Sequence, residues 1–94
     1  MTDEQLIKCM KALSDPKRLE IFKMLLDGKL CACKILDKFE MTQPTLSYHM
    51  KLLSDAALVN VEKDWKWCHY TANKTTLSSL VEYIPFRLVG KASD

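Results

Sequence analysis

The chain has 94 residues, of which 48% are hydrophobic and 28% charged, and its net charge is +2. This composition is ordinary for a folded domain and excludes a disordered chain. No apolar run approaches the roughly 20 residues that span a bilayer, and the N-terminus does not resemble a signal peptide. We therefore expect a single cytoplasmic domain over residues 1–94, without a membrane partner, in which any affinity for nucleic acid comes from local charge.

The first part of the chain has the hydrophobic spacing of helices. Leu6, Met10 and Leu13 follow the i, i+4, i+7 pattern and predict a helix over residues 3–13. Asp15 is a good N-cap for a second helix, which is expected to end at Gly28. The same spacing predicts a shorter third helix with four apolar positions, Ala32, Ile35, Leu36 and Phe39.

The second part begins with a fourth helix, for which Thr42 is the predicted N-cap and which buries Leu46, Met50 and Leu53. Two strands follow, over 59–62 and 66–71, around a short turn at Asp64-Trp65, and a last helix ends near Pro85. The predicted order is α-α-α-α-β-β-α. This is the order of a winged helix-turn-helix, in which the third and fourth helices form the helix-turn-helix pair.

The polar face of the fourth helix is the predicted DNA-reading surface. Recognition helices read bases with their N-terminal residues; Gln can bond adenine twice, and Thr and Ser can bond base edges or phosphate. Lysines near the hairpin tip would add salt-sensitive affinity for phosphates. An ordinary solvated helix face is the alternative, His49 could instead be packed, and Trp65 either touches DNA or covers the core. The predicted DNA contacts are Gln43, Thr45, Ser47, Tyr48, His49, Lys51, Lys63 and Lys66.

Cys31 and Cys33 stand just before the predicted recognition helix. Thiolates select soft ions such as zinc, copper(I), cadmium, lead or trivalent arsenic. In a regular helix residues i and i+2 point about 200° apart, so both can reach one ion only if the turn is irregular. An ion held by both would fix or distort the start of the third helix, beside the DNA-reading surface. A redox-active dithiol and plain packing are the alternatives.

The other cysteines leave the third ligand open. In a cytosolic chain cysteines are expected as ligands, redox-active thiols or small core residues rather than as structural disulfides. Cys9 lies at the edge of the first helix's apolar stripe and is a candidate third ligand, in the same subunit or a partner, or else a small buried residue. Cys68 alternates with Tyr70 along a strand, which predicts that it faces the core; ligation by Cys68 is the less favoured alternative. Solvent is the remaining candidate.

Four segments of the chain resemble the ArsR/SmtB family of metal-responsive repressors, over about residues 5–84. The resemblance implies a homodimer, with its first and last helices at the interface, that binds double-stranded operator DNA and releases it when an inducer ion binds the cysteines. It implies no cofactor. The segments are Lys11-Ala-Leu-Ser-Asp-Pro-Lys-Arg-Leu-Glu-Ile-Phe22, Leu30-Cys-Ala-Cys33, Gln43-Pro-Thr-Leu-Ser-Tyr-His-Met-Lys-Leu-Leu53 with Ala57-Leu-Val59, and Trp67-Cys-His-Tyr70.

The chain departs from the family pattern at two places. Leu36 stands where the arsenic-responsive pattern often has a further cysteine, and the last helix offers only Glu82 of the ligands that the zinc-responsive pattern places there. An inducer site on the last helix is therefore not expected. Arsenite or antimonite, As(III) or Sb(III), is the first candidate inducer, followed by cadmium or lead, Cd(II) or Pb(II).

Two other functions remain open. One is a thiol-redox-sensing repressor of the same fold, and the other is a protein-interaction winged helix that binds no DNA. An enzyme is not expected, because the sequence has no Gly-rich phosphate loop and its two histidines have no recognisable catalytic spacing.

Overall fold

The structure, a computed structural model, describes residues 1–85. It confirms the winged helix-turn-helix and adds one short strand, β1, that was not predicted. The final nine residues of the predicted 1–94 domain lie outside the described part. Within that part no helix has the length and apolar character needed to cross a bilayer. The elements are α1 (Asp3–Leu13), α2 (Pro16–Leu26), β1 (Leu30–Cys31), α3 (Ala32–Lys38), α4 (Gln43–Asp55), β2 (Val59–Asp64), β3 (Trp67–Ala72) and α5 (Lys74–Ile84).

Side-chain caps fix the starts of the two helices that position the site. The Asp15 carboxylate accepts hydrogen bonds from the backbone N–H groups of Lys17 at 2.8 Å and Arg18 at 3.1 Å. Thr42 Oγ1 accepts one from the Thr45 N–H at 3.4 Å. Each cap satisfies donors that the first helical turn leaves without a partner. Both predicted N-caps are therefore confirmed.

The three strands form an antiparallel sheet in the order β1-β3-β2. β2 and β3 form a hairpin, hereafter the wing, that pairs from Val59↔Ala72 to Asp64↔Trp67. The turn therefore lies at residues 65–66, one residue later than predicted. Trp65 opens it with φ of +58°, because two-residue hairpin loops need positive φ to match the twist of the strands.

The core lies between the helices and one face of the sheet. Leu46, Met50 and Leu53 are buried as predicted, but Met10 is 49% exposed, so its predicted place in the apolar stripe of α1 is wrong. The face of α1 that packs inward instead carries Cys9 and Ala12. Because these side chains are small, α1 can lie close to α4. The buried apolar side chains are Leu6, Cys9, Ala12, Ile21, Phe22, Leu25, Ile35, Leu46, Met50, Leu53, Ala56, Leu58, Val59, Tyr70 and Leu80.

The C-terminus of α4 ends in a Schellman motif. The N–H of Leu58 donates to the carbonyl of Leu53 at 3.0 Å, and the N–H of Ala57 donates to that of Ser54 at 2.9 Å. The motif requires a left-handed residue, which is usually glycine. Here that residue is Ala57, with φ of +60°. The Cβ atom of Ala57 therefore strains the backbone at the end of α4.

Replacing Ala57 by glycine should stabilise the protein. An L-residue loses about 1–2 kcal/mol in the left-handed region, and the greater freedom of glycine in the unfolded chain returns about half of that. We expect the free energy of unfolding to rise by about 0.5–1 kcal/mol, measured by urea denaturation. Ala56→Gly is the matched control: Ala56 has φ of −84° and is buried, so this change should destabilise. Equal effects of the two changes would refute the argument from strain.

Candidate functional site

The exposed face of α4 carries most of the predicted DNA contacts. Gln43, Thr45, Ser47, Tyr48 and Lys51 are all exposed, and Tyr48 retains 59% of its accessible surface. A groove of about 360 Å³ separates this face from the wing. Its lining includes Gln43, Ser47 and Lys51 from α4 together with Lys63 from β2. The fold thus brings four of the predicted contacts to one groove.

His49 does not share this face. It is only 8% exposed, and its Nδ1 lies 2.9 Å from the Nη1 of Arg18. The same guanidinium donates from Nε to the carbonyl of Ala12 at 2.7 Å. The structure therefore corrects the placement of His49 among the DNA-facing residues and favours the packed alternative. Its physical role is to join α4 to α1 and α2.

The contact with Arg18 fixes the protonation of His49. A guanidinium has no acceptor, so His49 Nδ1 must accept and the ring must be neutral with its proton on Nε2. Burial lowers the pKa of His49, and the nearby Asp15 carboxylate opposes that shift only in part. The neutral ring is therefore the form that the folded protein favours.

The junction should make stability depend on pH. Because the pKa of His49 is lower in the folded than in the unfolded chain, its contribution is present above about pH 6.5 and is lost as pH falls through the folded pKa. We expect the urea midpoint to fall between pH 7.5 and pH 5.5, and to fall less in His49→Gln. Identical pH profiles for the two proteins would contradict the assignment.

The wing presents cations and two indoles, those of Trp65 and Trp67, to solvent. Lys63 and Lys66 are exposed, and Lys66 Nζ lies 5.8 Å from the centre of the Trp67 ring. Trp65 is 95% exposed at the tip, so it does not cover the core. An indole in that position, on a strained backbone, is available to contact a partner.

An ion pair attaches the wing to the loop before β1. Lys29 Nζ lies 2.8 Å from the Glu62 carboxylate. Its hydrogen bond and charge hold the pKa of Glu62 below its usual value. The pair is exposed, so it contributes little stability by itself. It nevertheless links the wing to the segment that leads into the cysteines.

Cys31 and Cys33 meet because the chain changes conformation between them. Cys31 is extended, with φ of −82° and ψ of 158°, and caps α3, whereas Cys33 lies in the first helical turn. Their Cα atoms are 5.4 Å apart, and the structure joins the two sulfurs in a disulfide. The irregular turn that shared ligation requires is therefore present. The disulfide departs from the expectation of free thiols, and because its loop is so short it adds little to stability.

A pocket of about 270 Å³ lies between the cysteine pair and the two elements that are predicted to contact DNA. This cysteine pocket receives Gln43 from the first turn of α4 and Lys66 from the wing, both predicted DNA contacts. Anything bound at the sulfurs therefore lies beside both elements. The lining residues are Cys31, Ala32, Cys33, Leu36, Gln43, Lys66, Trp67 and Cys68.

The two free cysteines lie in different places. Cys9 is fully buried and its thiol donates to the carbonyl of Ala56 at 3.5 Å, under the end of α4. Burial raises the pKa of the Cys9 thiol, which makes it a poorer thiolate ligand. Cys68, predicted to face the core, is half-buried and lines the cysteine pocket. Among residues 1–85 no three His, Cys, Asp or Glu side chains are arranged to hold a metal ion as they stand.

Known proteins resemble the chain in both sequence and fold. The arsenical resistance operon repressor of Staphylococcus aureus is 43% identical over 87% of this chain and 79% of its own length. The protein of the same name from Staphylococcus xylosus is 47% identical, over 78% of this chain and 70% of its own. A crystal structure of an ArsR family transcriptional regulator has a TM-score of 0.85 at 20% identity, covering 95% of this chain and 92% of the other, and supports the fold alone.

The family profile gives the most direct assignment. The profile described as "Bacterial regulatory protein, arsR family" matches residues 15–61, from the N-cap of α2 through the helix-turn-helix into β2. Its members are DNA-binding transcriptional regulators rather than enzymes. The chain belongs to the ArsR family of bacterial regulatory proteins.

Proposed function

We propose that this protein is a repressor that releases its operator when a soft metal or metalloid ion binds Cys31 and Cys33. The observation that carries the proposal is the cysteine pocket, which is lined by both cysteines and by Gln43 and Lys66. An ion bound there would disturb the positions of Gln43 and Lys66, on which the proposed DNA binding depends. The names of the staphylococcal relatives, arsenical resistance operon repressors, favour arsenite as the signal, with antimonite as its chemical analogue.

The donors fit such an ion. Two sulfurs on a short loop can grip a single thiophilic centre, and soft ligands favour As(III), Sb(III), Cd(II) or Pb(II) over hard cations. The ion requires reduced, deprotonated thiols, so binding should weaken at low pH and disappear when the pair is oxidised. No cofactor is part of the proposal.

The repressor is proposed to act as a homodimer through α1 and α5. Ile7 and Met10 on α1 and Val81 on α5 leave apolar side chains 49–60% exposed. A hydrogen bond from the Tyr83 hydroxyl to Asp3 holds the two helices together. Covering this surface would supply burial that so small a domain lacks. A dimer would present two recognition helices about 34 Å apart to a pseudo-palindromic operator, in the cytoplasm where the DNA is.

In the DNA complex we assign base reading to the start of α4 and phosphate contacts to the lysines. Gln43, Thr45 and Ser47 can bond base edges in the major groove, with Tyr48 beside them. Lys51, Lys63 and Lys66 would neutralise phosphates, although Lys51 must first leave Asp55, 3.3 Å away. Trp65 at the wing tip would contact the DNA backbone or the adjacent groove.

The disulfide favours a second candidate, a repressor that senses oxidation of the same pair. In that case forming the Cys31–Cys33 bond, rather than binding an ion, would change the affinity for DNA. Peroxide would then release the operator in the absence of metal, and a reductant would restore binding. Ion-induced release from a fully reduced protein is the outcome that separates the first candidate from this one.

The test is fluorescence anisotropy of the reduced protein on labelled DNA from upstream of its own gene. Arsenite, antimonite, cadmium, lead, zinc and peroxide are titrated in turn. The proposal expects salt-sensitive binding and release by one soft ion. Tight binding that is indifferent to every ion would refute it, and release by peroxide alone would favour the redox candidate.

A further inference from the structure

We propose that Cys68, on the wing, is the third thiolate that completes the ion site of Cys31 and Cys33. The inference rests on the proposed function and adds the donor that a two-cysteine site lacks. It also makes the ion a bridge between α3 and the wing. Cys68 lies in β3, whereas Cys31 ends β1 and Cys33 lies in α3.

The edge of the sheet beside Cys68 is open where β1 ends. β1 ends at Cys31, which pairs with His69, so the residue opposite Cys68 is already Ala32, the first residue of α3. The edge of β3 is therefore unpaired at Cys68 on that side. The cysteine pocket opens at this point and is lined by the sulfur-bearing residues of all three positions.

The other candidates fit less well. Cys9 is fully buried and bonded to the carbonyl of Ala56, and it does not line the cysteine pocket. The position one helical turn after Cys33 is Leu36, which has no donor atom. Gln43, Lys66 and Trp67 complete the polar and aromatic lining but offer no soft ligand. Within residues 1–85, Cys68 is thus the cysteine outside the disulfide that lines the cysteine pocket, although its thiol also interacts with the Tyr70 side chain.

Ligation by three thiols must change the shape of the site. The three sulfurs are not arranged around one point. The start of α3 and the strand β3 must therefore move toward each other when the third bond forms. Gln43 and Lys66 line the space between them. The third bond would therefore displace the first turn of α4 and the wing, the two elements proposed to hold DNA.

The chemistry balances without an external oxidant. After a phosphine reductant has converted the disulfide into two thiols, arsenous acid, As(OH)₃, meets three thiols. Three As–O bonds break and three As–S bonds form. Each thiol proton leaves with a hydroxide as water, so three waters are released and arsenic stays trivalent. Phenylarsine oxide, whose phenyl group occupies one position, can bond only two thiols.

The experiment compares these two arsenicals on the reduced full chain, freed of reductant without oxygen. Native mass spectrometry should show arsenite bound without any remaining hydroxyl, and alkylation mapping should show Cys68 protected together with the pair. Phenylarsine oxide should leave Cys68 open to alkylation. Cys68→Ser should lose about tenfold or more in arsenite affinity yet bind phenylarsine oxide as the wild type does, which also verifies its fold. Cys9→Ala, a cysteine change outside the pocket, should affect neither ligand.

The outcomes separate this inference from the proposed function. If arsenite protects Cys31 and Cys33 but retains one hydroxyl and leaves Cys68 open, Cys68 is not the third donor and the two-cysteine site stands. If neither arsenical protects Cys31 and Cys33, the proposed function fails as well. The mapping on wild-type protein decides this even if Cys68→Ser does not fold.

Discussion

Cys33→Ser should keep operator affinity within about twofold of wild type while abolishing release by the inducing ion. The side chain is exposed in the first turn of α3, so an isosteric hydroxyl should not disturb the core. It removes one of the two sulfurs that grip the ion, and a hydroxyl is a poor ligand for a soft centre. Coupling between sites is typically about 1–3 kcal/mol, or 5–150-fold in affinity, and all of it should disappear.

Anisotropy titrations with and without the ion measure this effect. Cys31→Ser should behave in the same way, and Cys9→Ala is the control that retains full release because its thiol lies in the core. Normal ion-induced release by both Cys31→Ser and Cys33→Ser would remove the cysteine pair from the mechanism. Loss of DNA binding by either, with the fold intact, would make the pair part of the DNA interface.

Gln43→Ala should weaken operator binding by about 1–3 kcal/mol and relax the sequence preference at one base pair in each half-site. Gln43 stands exposed in the first turn of α4, behind the Thr42 cap, where recognition helices contact bases. Lys63→Ala should behave differently. Because it removes a positive charge that would neutralise a phosphate, it should lower affinity on every sequence alike and reduce the slope of log affinity against log salt by about one.

Binding to a panel of single-base operator variants separates the two effects. Lys38→Ala, an exposed lysine at the end of α3, is the charge control and should change affinity less than Lys63→Ala. A uniform loss across the panel for Gln43→Ala would show that this residue positions the helix rather than reads a base. Unchanged affinity would remove it from the interface.

The helical part of the fold was predictable because its signals are local. Asp15 and Thr42 mark helix starts because their side-chain oxygens accept hydrogen bonds from backbone N–H groups two and three residues later, and apolar spacing marks the buried face of α4. Strand β1 has two residues, too few to show a period, and depends on pairing with a strand 38 residues later. The inward face of α1 depends on how closely Cys9 and Ala12 let it approach α4, which spacing alone does not encode.

The site was predictable in its residue types but not in its geometry. The Cys31-Ala32-Cys33 motif indicated a thiol site, yet its convergence depends on the change from strand to helix at Cys31. His49 was grouped with the DNA contacts because its side-chain chemistry suits phosphate, and only the tertiary contact with Arg18 explains its burial. Cys68 was placed on the core face, with ligation as the less favoured alternative, because the alternation of side chains along a strand does not show where a neighbouring strand ends.

The central claim is that an ion bound at the cysteine pair weakens DNA binding at α4 and the wing, and that bound DNA weakens ion binding. Linkage requires that opposition to be equal in both directions. The decisive measurement is the affinity of the reduced protein for arsenite with and without saturating operator DNA. The account predicts that DNA weakens arsenite binding by the same factor, about 5–150-fold, by which arsenite weakens DNA binding. An arsenite affinity unchanged by bound DNA would contradict it.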